Sequence, residues 1–192
     1  MLMLKRNPTL AGLILSLVAA ATAANLPRQS HELTIAMTDG SKVMLSQYKG
    51  KVVAVCFILT TCPHCQKTVG FLTKLQKEYG ARGFQVLASA IEQGSAEHVP
   101  GFIKQFNTPF PVGSGDPMTA MDWMQHPTML APHMPMLAFV DRQGNVRAQF
   151  EGDDENFFND QQEQNLRTQI EPLLKESASK KAPMPSTAST KK

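Results

Sequence analysis

Two cysteines stand three residues apart in "FILTTCPHCQKT", Phe57 to Thr68, with Pro63 and His64 between them. Thiols at that spacing can act as a redox couple, as two ligands of a metal ion, or as ordinary core residues. A redox couple needs one accessible, ionised sulfur, because the thiolate is the species that attacks a disulfide. It also needs a second sulfur close enough to resolve the mixed disulfide at high effective concentration. Which chemistry applies depends on the elements that hold the pair and on the compartment it works in.

The run "KVVAVCFIL" leads into the cysteines and is uninterrupted by polar residues, as expected of a strand covered on both faces. Cys56 lies inside it and reads as a buried strand residue. After Cys62, Pro63 suits a first helical position, and Val69, Phe71, Leu72, Leu75 and Tyr79 recur at helical intervals until Gly80. Cys62 therefore belongs at a helix start, where unpaired N–H groups and the positive end of the helix dipole favour thiolate over thiol. Cys65, one turn deeper, faces inward as the resolving thiol. A protonated His64 would favour the thiolate further and make the disulfide more oxidising. The competing reading of His64 is a solvent-facing residue on the first turn.

The remaining elements follow from turn residues and periodicity. "ELTIAM" and "KVML" flank Asp39-Gly40 and read as two short strands. "FQVLASAI" is a further strand, and Ser95 is expected to cap a helix carrying Val99, Phe102, Ile103 and Phe106, with Pro100 accommodated near its start. "PFPV" is a short extended piece. The segment from Gly115 to Pro135, broken by prolines at 117, 127, 132 and 135, reads as irregular with possible helical turns. "MLAFV", a turn over 141–144 and "NVRAQF" form a hairpin, and an amphipathic helix runs from about Asp160 to Leu174. The order is β-β-β-α-β-α-β, an irregular part, then β-β-α, which predicts an α/β fold with a mixed central sheet flanked by helices.

Composition sets the compartment. The chain has 192 residues and opens with Lys5 and Arg6, followed by an uncharged run from Leu10 to Ala24 ending in small residues. That is the order of a secretory signal, expected to be cleaved near Ala23 or Ala24, with a retained membrane anchor as the alternative. The protein is thus read as exported and periplasmic, either soluble after cleavage or tethered by an uncleaved N-terminal segment. Residues 25–175 fit a single domain, in which 13 basic side chains stand against 15 acidic ones. No nucleic-acid footprint follows from that balance. From 176 to 192 the chain carries nothing aromatic or aliphatic β-branched to bury and reads as a disordered basic tail.

With these residues in hand, the chain resembles the thioredoxin-like superfamily, and within it the exported TlpA/ResA-like thiol-disulfide oxidoreductases on the AhpC/TSA-related scaffold. The resemblance spans about Leu33 to Leu174. "LTIAMTDGSKVMLSQYKGKVVAVCFILTTCPHC" is similar to the family's opening hairpin, lead-in and redox motif. "FQVLASAI" with "HVPGFIKQFNTPFPV" resembles the strand and helix inserted in the middle of the thioredoxin fold. "HMPMLAFVDRQGNV" resembles the segment in which a cis-proline precedes a strand, a turn and another strand. The resemblance implies that Pro135 is that cis-proline, that Met134 offers its backbone to a substrate chain, and that Thr61, before the first cysteine, is the other substrate-facing position. It implies protein thiols and disulfides as partners, a membrane electron carrier to reset the couple, a monomer, and no diffusible cofactor.

Three departures stand out. Thr61 replaces the tryptophan common in the family, and Cys56 falls where thioredoxins place a buried aspartate used in proton transfer. Thr68 stands where some relatives carry glutamate, and the sequence shows no substitute carboxylate near the motif. The residues between the cysteines are similar to those of the oxidising DsbA family although the scaffold is not, so the direction of electron flow stays open.

Rival readings come from the same residues. Met118, Met121, Met124, Met129, Met134 and Met136, with His126 and His133, offer soft ligands for copper(I), so a copper chaperone using these and the cysteine pair is the alternative function. Against it, methionines also fill irregular cores or line grooves for apolar peptide. Structural zinc would need a second ligand pair. A peroxiredoxin would need Pro and Thr or Ser at set positions before its reactive cysteine, where this chain has Leu59 and Cys62. His31 and His98 read as surface residues, and Glu151, Asp153, Asp154 and Glu155 as a solvated loop.

Overall fold

The computed structural model describes residues 25–176. The signal expected over 1–24 and residues 177–192 of the expected basic tail lie outside the described residues.

Eight strands form one mixed sheet: β1 Arg28–Gln29, β2 Thr34–Ala36, β3 Lys42–Met44, β4 Val52–Ile58, β5 Phe84–Ala90, β6 Val112–Ser114, β7 Met136–Val140 and β8 Asn145–Phe150. Their spatial order is β1-β8-β7-β4-β5-β6-β2-β3. β4 pairs parallel with β5 and antiparallel with β7, so the strand leading to the cysteines occupies the middle of the sheet. Four helices accompany it: α1 Pro63–Tyr79, α2 Ser95–Phe106, α3 Pro117–Met124 and α4 Gln162–Lys175. This is the expected thioredoxin fold, with an N-terminal hairpin (β2, β3) and the strand and helix read as a central insertion (β5, α2).

The apolar run of β4 has alternate residues on opposite faces, as strand geometry requires. Val52, Ala54, Cys56 and Ile58 pack with Val69, Leu72 and Leu75 of α1 and Leu166 and Ile170 of α4. Val53, Val55 and Phe57 pack with Ala120, Trp123 and Met124 of α3 and with Leu33, Ile35 and Leu45 around the hairpin. All seven β4 residues are buried, which explains why the run shows no polar alternation.

Two expectations need correction, and one strand is additional to those read from the sequence. The segment read as irregular contains α3, which begins conventionally: Asp116 accepts the Thr119 N–H at 2.9 Å, and Pro117 takes the first helical position. Ser95 is the first helical residue of α2 and not its cap. The cap is Gly94, at φ 73°, a left-handed conformation in which serine would be strained. A two-residue strand, β1, pairs with β8 and had no signature of its own.

Trp123 is a core residue. Its ring meets Phe57 edge-on at 5.9 Å between centroids, and its Nε1 donates to the His31 carbonyl at 3.1 Å. Arg28 donates to the Trp123 carbonyl at 2.6 Å, which ties β1 to α3. No helix among the described residues is long and apolar enough to cross a membrane.

Candidate active site

β4 ends at Ile58, and the chain turns through Leu59, Thr60 and Thr61 into α1. The Cys62 N–H donates to the Leu59 carbonyl at 3.1 Å, which closes that turn. Cys62 is the N-cap of α1, with extended φ −76° and ψ 120°, and Pro63 follows at the first helical position. The Cys62 sulfur accepts the backbone N–H of Cys65 at 3.4 Å. Sulfur at an N-cap thus replaces the oxygen that usually satisfies one of the helix's free donors. Cys62 is partly exposed, whereas Thr61, Pro63 and His64 are exposed around it.

Cys65 is fully buried beneath, and its sulfur accepts the Leu59 N–H at 3.5 Å. Burial pushes its thiol well above the ordinary cysteine range; the Leu59 hydrogen bond opposes this, while Cys62 and the nearby Cys56 add to it. Cys56, on the face of β4 that α1 covers, is also fully buried, and burial pushes its thiol up to about 12. All three cysteines are free thiols. One accessible sulfur at the helix cap, with a buried, protonated sulfur one turn below, is an arrangement suited to attack followed by resolution.

The Met134–Pro135 peptide bond is cis, in agreement with the expectation for Pro135. The β4–β7 register pairs Phe57 with Met136, so one further step sets Pro135 level with Ile58, where the cysteine loop departs. Met134 is partly buried and packs against both core clusters. Behind it, Gly152 donates its N–H to the His133 carbonyl at 2.9 Å, and a Cβ on Gly152 would collide with the Met134 carbonyl. A second cis bond, Leu26–Pro27, lies near the start of the described chain.

Thr68, the residue noted as standing in place of a carboxylate, has a structural partnership. Its hydroxyl donates to the His64 carbonyl at 2.9 Å and accepts from buried Gln162 of α4 at 2.8 Å. A carboxylate nevertheless stands close to the motif, contrary to the sequence reading. Glu92, two residues beyond β5, hydrogen-bonds Thr60. The signal was indirect: the parallel register pairs Ile58 with Ala90, and the Ile91 N–H donates to the Ile58 carbonyl, so residues 60 and 92 lie side by side.

Met124 and Met136 share one core cluster with Met134 packed against it, and the other methionines of the 118–136 segment are divided between core and surface. Met121, Met124 and Met136 are buried in the core, Met118 is exposed, and Met129 is 95% exposed at a loop tip. His126 hydrogen-bonds Glu151 at 2.6 Å, and His133 lies 3.3 Å from Asp153. Two members of the acidic cluster are thus paired with histidines. Among the described residues, the set of three His, Cys, Asp or Glu side chains gathered closely enough to share an ion is His133, Glu151 and Asp153, which includes neither Cys62 nor Cys65. His31 and His98 are exposed, as read.

Comparison with known proteins agrees with the fold. A family model described as Redoxin matches residues 20–170. The chain is 27% identical over 85 residues to a thiol-disulfide oxidoreductase ResA from Bacillus thuringiensis subsp. konkukian, an alignment covering 44% of this chain and 49% of that protein. It is 29% identical over 103 residues to probable glutathione peroxidase 5 of Arabidopsis thaliana, covering 50% and 60%. The chain therefore spans about half the length of the curated relatives it matches. Among solved structures, a putative thiol:disulfide interchange protein DsbE from Chlorobium tepidum superimposes with TM-score 0.65 at 23% identity, covering 77% of this chain and 96% of that one. A secreted thiol-disulfide isomerase from Corynebacterium glutamicum gives TM-score 0.65 at 19% identity, with coverage of 78% and 87%.

Proposed function

From the premise that this chain belongs to the Redoxin family, we propose that it is a TlpA/ResA-like thiol-disulfide oxidoreductase acting on protein substrates through Cys62 and Cys65. The observation that carries this reading is the stacking of the two sulfurs on the first turn of α1: Cys62 capping the helix at 3.4 Å from the Cys65 N–H, and Cys65 buried below.

In the reducing direction the Cys62 thiolate attacks one sulfur of a substrate disulfide, and the other leaves as a thiolate that takes up a proton. Cys65 then gives up its proton and attacks the Cys62 sulfur, releasing the second substrate thiol. Two electrons pass to the substrate, and the Cys62–Cys65 disulfide remains for an external dithiol, or a membrane electron carrier, to reduce. The reverse sequence oxidises a substrate dithiol. Burial of Cys65 keeps it protonated until Cys62 is engaged, so the two thiols act in sequence.

In this reading His64 and the helix start tune Cys62, Pro63 sets the turn, and Pro135 shapes the groove. Met134 and Thr61 contact the substrate chain. The same reading makes the protein exported and periplasmic, with residues 1–24 as its signal and 25–175 as its working domain.

A Cys65→Ser variant should accumulate mixed disulfides with partner proteins at Cys62, and a Cys62→Ser variant should trap none. Equilibration of the wild-type couple with glutathione would fix the direction of electron flow. Rapid consumption of hydroperoxide with no protein mixed disulfide would overturn the reading in favour of a peroxidase.

A further inference from the structure

We propose that Glu92 is a positioning residue for the dithiol, gripping Thr60 and thereby fixing the segment that indexes both sulfurs. This rests on the thiol–disulfide reading of Cys62 and Cys65.

One carboxylate oxygen, Oε1, accepts the Thr60 N–H at 2.9 Å and also a short hydrogen bond from the Thr60 hydroxyl. From the opposite side, Gln66 on α1 donates its Nε2–H to the Thr60 carbonyl at 2.8 Å. Thr60 is 7% exposed, so its backbone and side-chain groups are held by protein on both flanks. Its neighbours carry the chemistry. Leu59, one residue back, donates its N–H to the Cys65 sulfur, and Cys62, two residues on, brings its own sulfur to the Cys65 N–H. Displacing Thr60 therefore disturbs both sulfur contacts together.

The clamp is costly. Glu92 Oε2 is buried without a hydrogen-bond partner among the described residues, and exposed His98 has its Nδ1 3.8 Å from Oε1. A partly buried carboxylate with one idle oxygen is an expensive way to hold one threonine. The position makes sense when Thr60 is the point from which the two sulfurs are set. β5 delivers Glu92 there because it runs parallel to β4 and ends level with it. The clamp thus joins the core of the sheet to the cysteine loop without passing through α1.

The test uses two readouts that need no substrate protein: the pH–rate profile for alkylation of Cys62, and the equilibrium of the Cys62–Cys65 couple with glutathione. Glu92→Ala removes the acceptor. It is expected to slow Cys62 alkylation by about tenfold and shift the glutathione equilibrium by a similar factor, the scale of one hydrogen bond to a charged group. Glu92→Gln keeps an acceptor oxygen and should restore alkylation to within about threefold of wild type. Thr60→Val, which leaves the N–H bond but removes the hydroxyl, should act non-additively with Glu92→Ala.

A folded Glu92→Ala protein with wild-type profile and equilibrium would overturn the proposal, as would simple additivity with Thr60→Val. If Glu92→Ala does not fold, Thr60→Val decides, since unchanged readouts there exclude the clamp. Failure of the oxidoreductase reading looks different: the Cys65→Ser variant would then trap no partner, whereas the Glu92 comparison is made on the couple alone.

Discussion

A buried thiol keeps its proton because the thiolate has no water or charge to stabilise it. Cys56 illustrates this with no hydrogen bond to complicate it: an unfolded cysteine ionises near 9, and here burial holds the proton to about 12. Folding therefore favours the protonated form. That contribution is complete below the unfolded value and is lost as pH rises from about 9 through about 12, because the unfolded chain then releases a proton that the native one retains. For this thiol the slope is about 1.4 kcal/mol per pH unit. Urea unfolding of reduced protein between about pH 9 and 11 should show wild type losing stability more steeply than Cys56→Ala by roughly that amount. Parallel slopes would mean that Cys56 is hydrated. The same logic bears on Cys65, whose upward shift also begins in burial and is opposed only by the Leu59 N–H. A cysteine in place of the aspartate expected at position 56 thus adds a second proton-retaining group beside the resolving thiol, and leaves proton transfer to other groups.

At the scale of elements, β4, β5, β7, β8 and the helices α1, α2 and α4 were legible because each carries its signal locally, as an apolar run, a helical period or a turn residue. The cysteine pair was legible for the same reason, with proline and histidine fixing its place at a helix start. The cis-proline came from resemblance to a family segment and not from composition. What escaped depends on partners distant in the chain. β1 is two residues long and is defined by pairing with Val146 and Asn145. Glu92 meets Thr60 only because two parallel strands end level. α3 had a readable Asp-Pro cap, but the prolines after it obscured the period. Gly152 is another such position, since nothing in "FEGDDE" announces that its Cα abuts the Met134 backbone. Gly152→Ala should force apart the loop after β8 and the Met134–Pro135 loop. The expected cost is about 1–3 kcal/mol in urea unfolding, the range for overpacking a rigid site, together with slower exchange on protein substrates. A loss below about 0.5 kcal/mol would show that the contact yields freely.

Across the whole molecule, α1 separates chemistry from anchorage. Its N-terminus bears the sulfurs, and its C-terminus is tied to α4. Arg167 makes two 2.7 Å bonds to Glu78 and donates to the Tyr79 hydroxyl at 2.6 Å and to Glu163 at 2.9 Å. Lys74 joins through Glu163 at 2.8 Å, and Tyr79 donates to Glu171 at 2.6 Å. These hydrogen bonds raise the Arg167 guanidinium further above its already high range, so its charge persists at every working pH. Glu78 and Cys62 are separated by about 24 Å of helix. That is several Debye lengths at about 0.15 M salt, so the charges at one end are screened from the thiolate at the other. Arg167→Ala should therefore cost stability without touching reactivity. A partly exposed network of this kind is worth about 1 kcal/mol, and high salt should diminish the difference. Alkylation of Cys62 should proceed at the wild-type rate, and the stability losses of Arg167→Ala and Glu92→Gln should add to within about 0.5 kcal/mol because the sites share no partner. If Arg167→Ala slowed Cys62, the helix would be transmitting strain from its anchored end to its reactive one, and the separation argued from distance would fail.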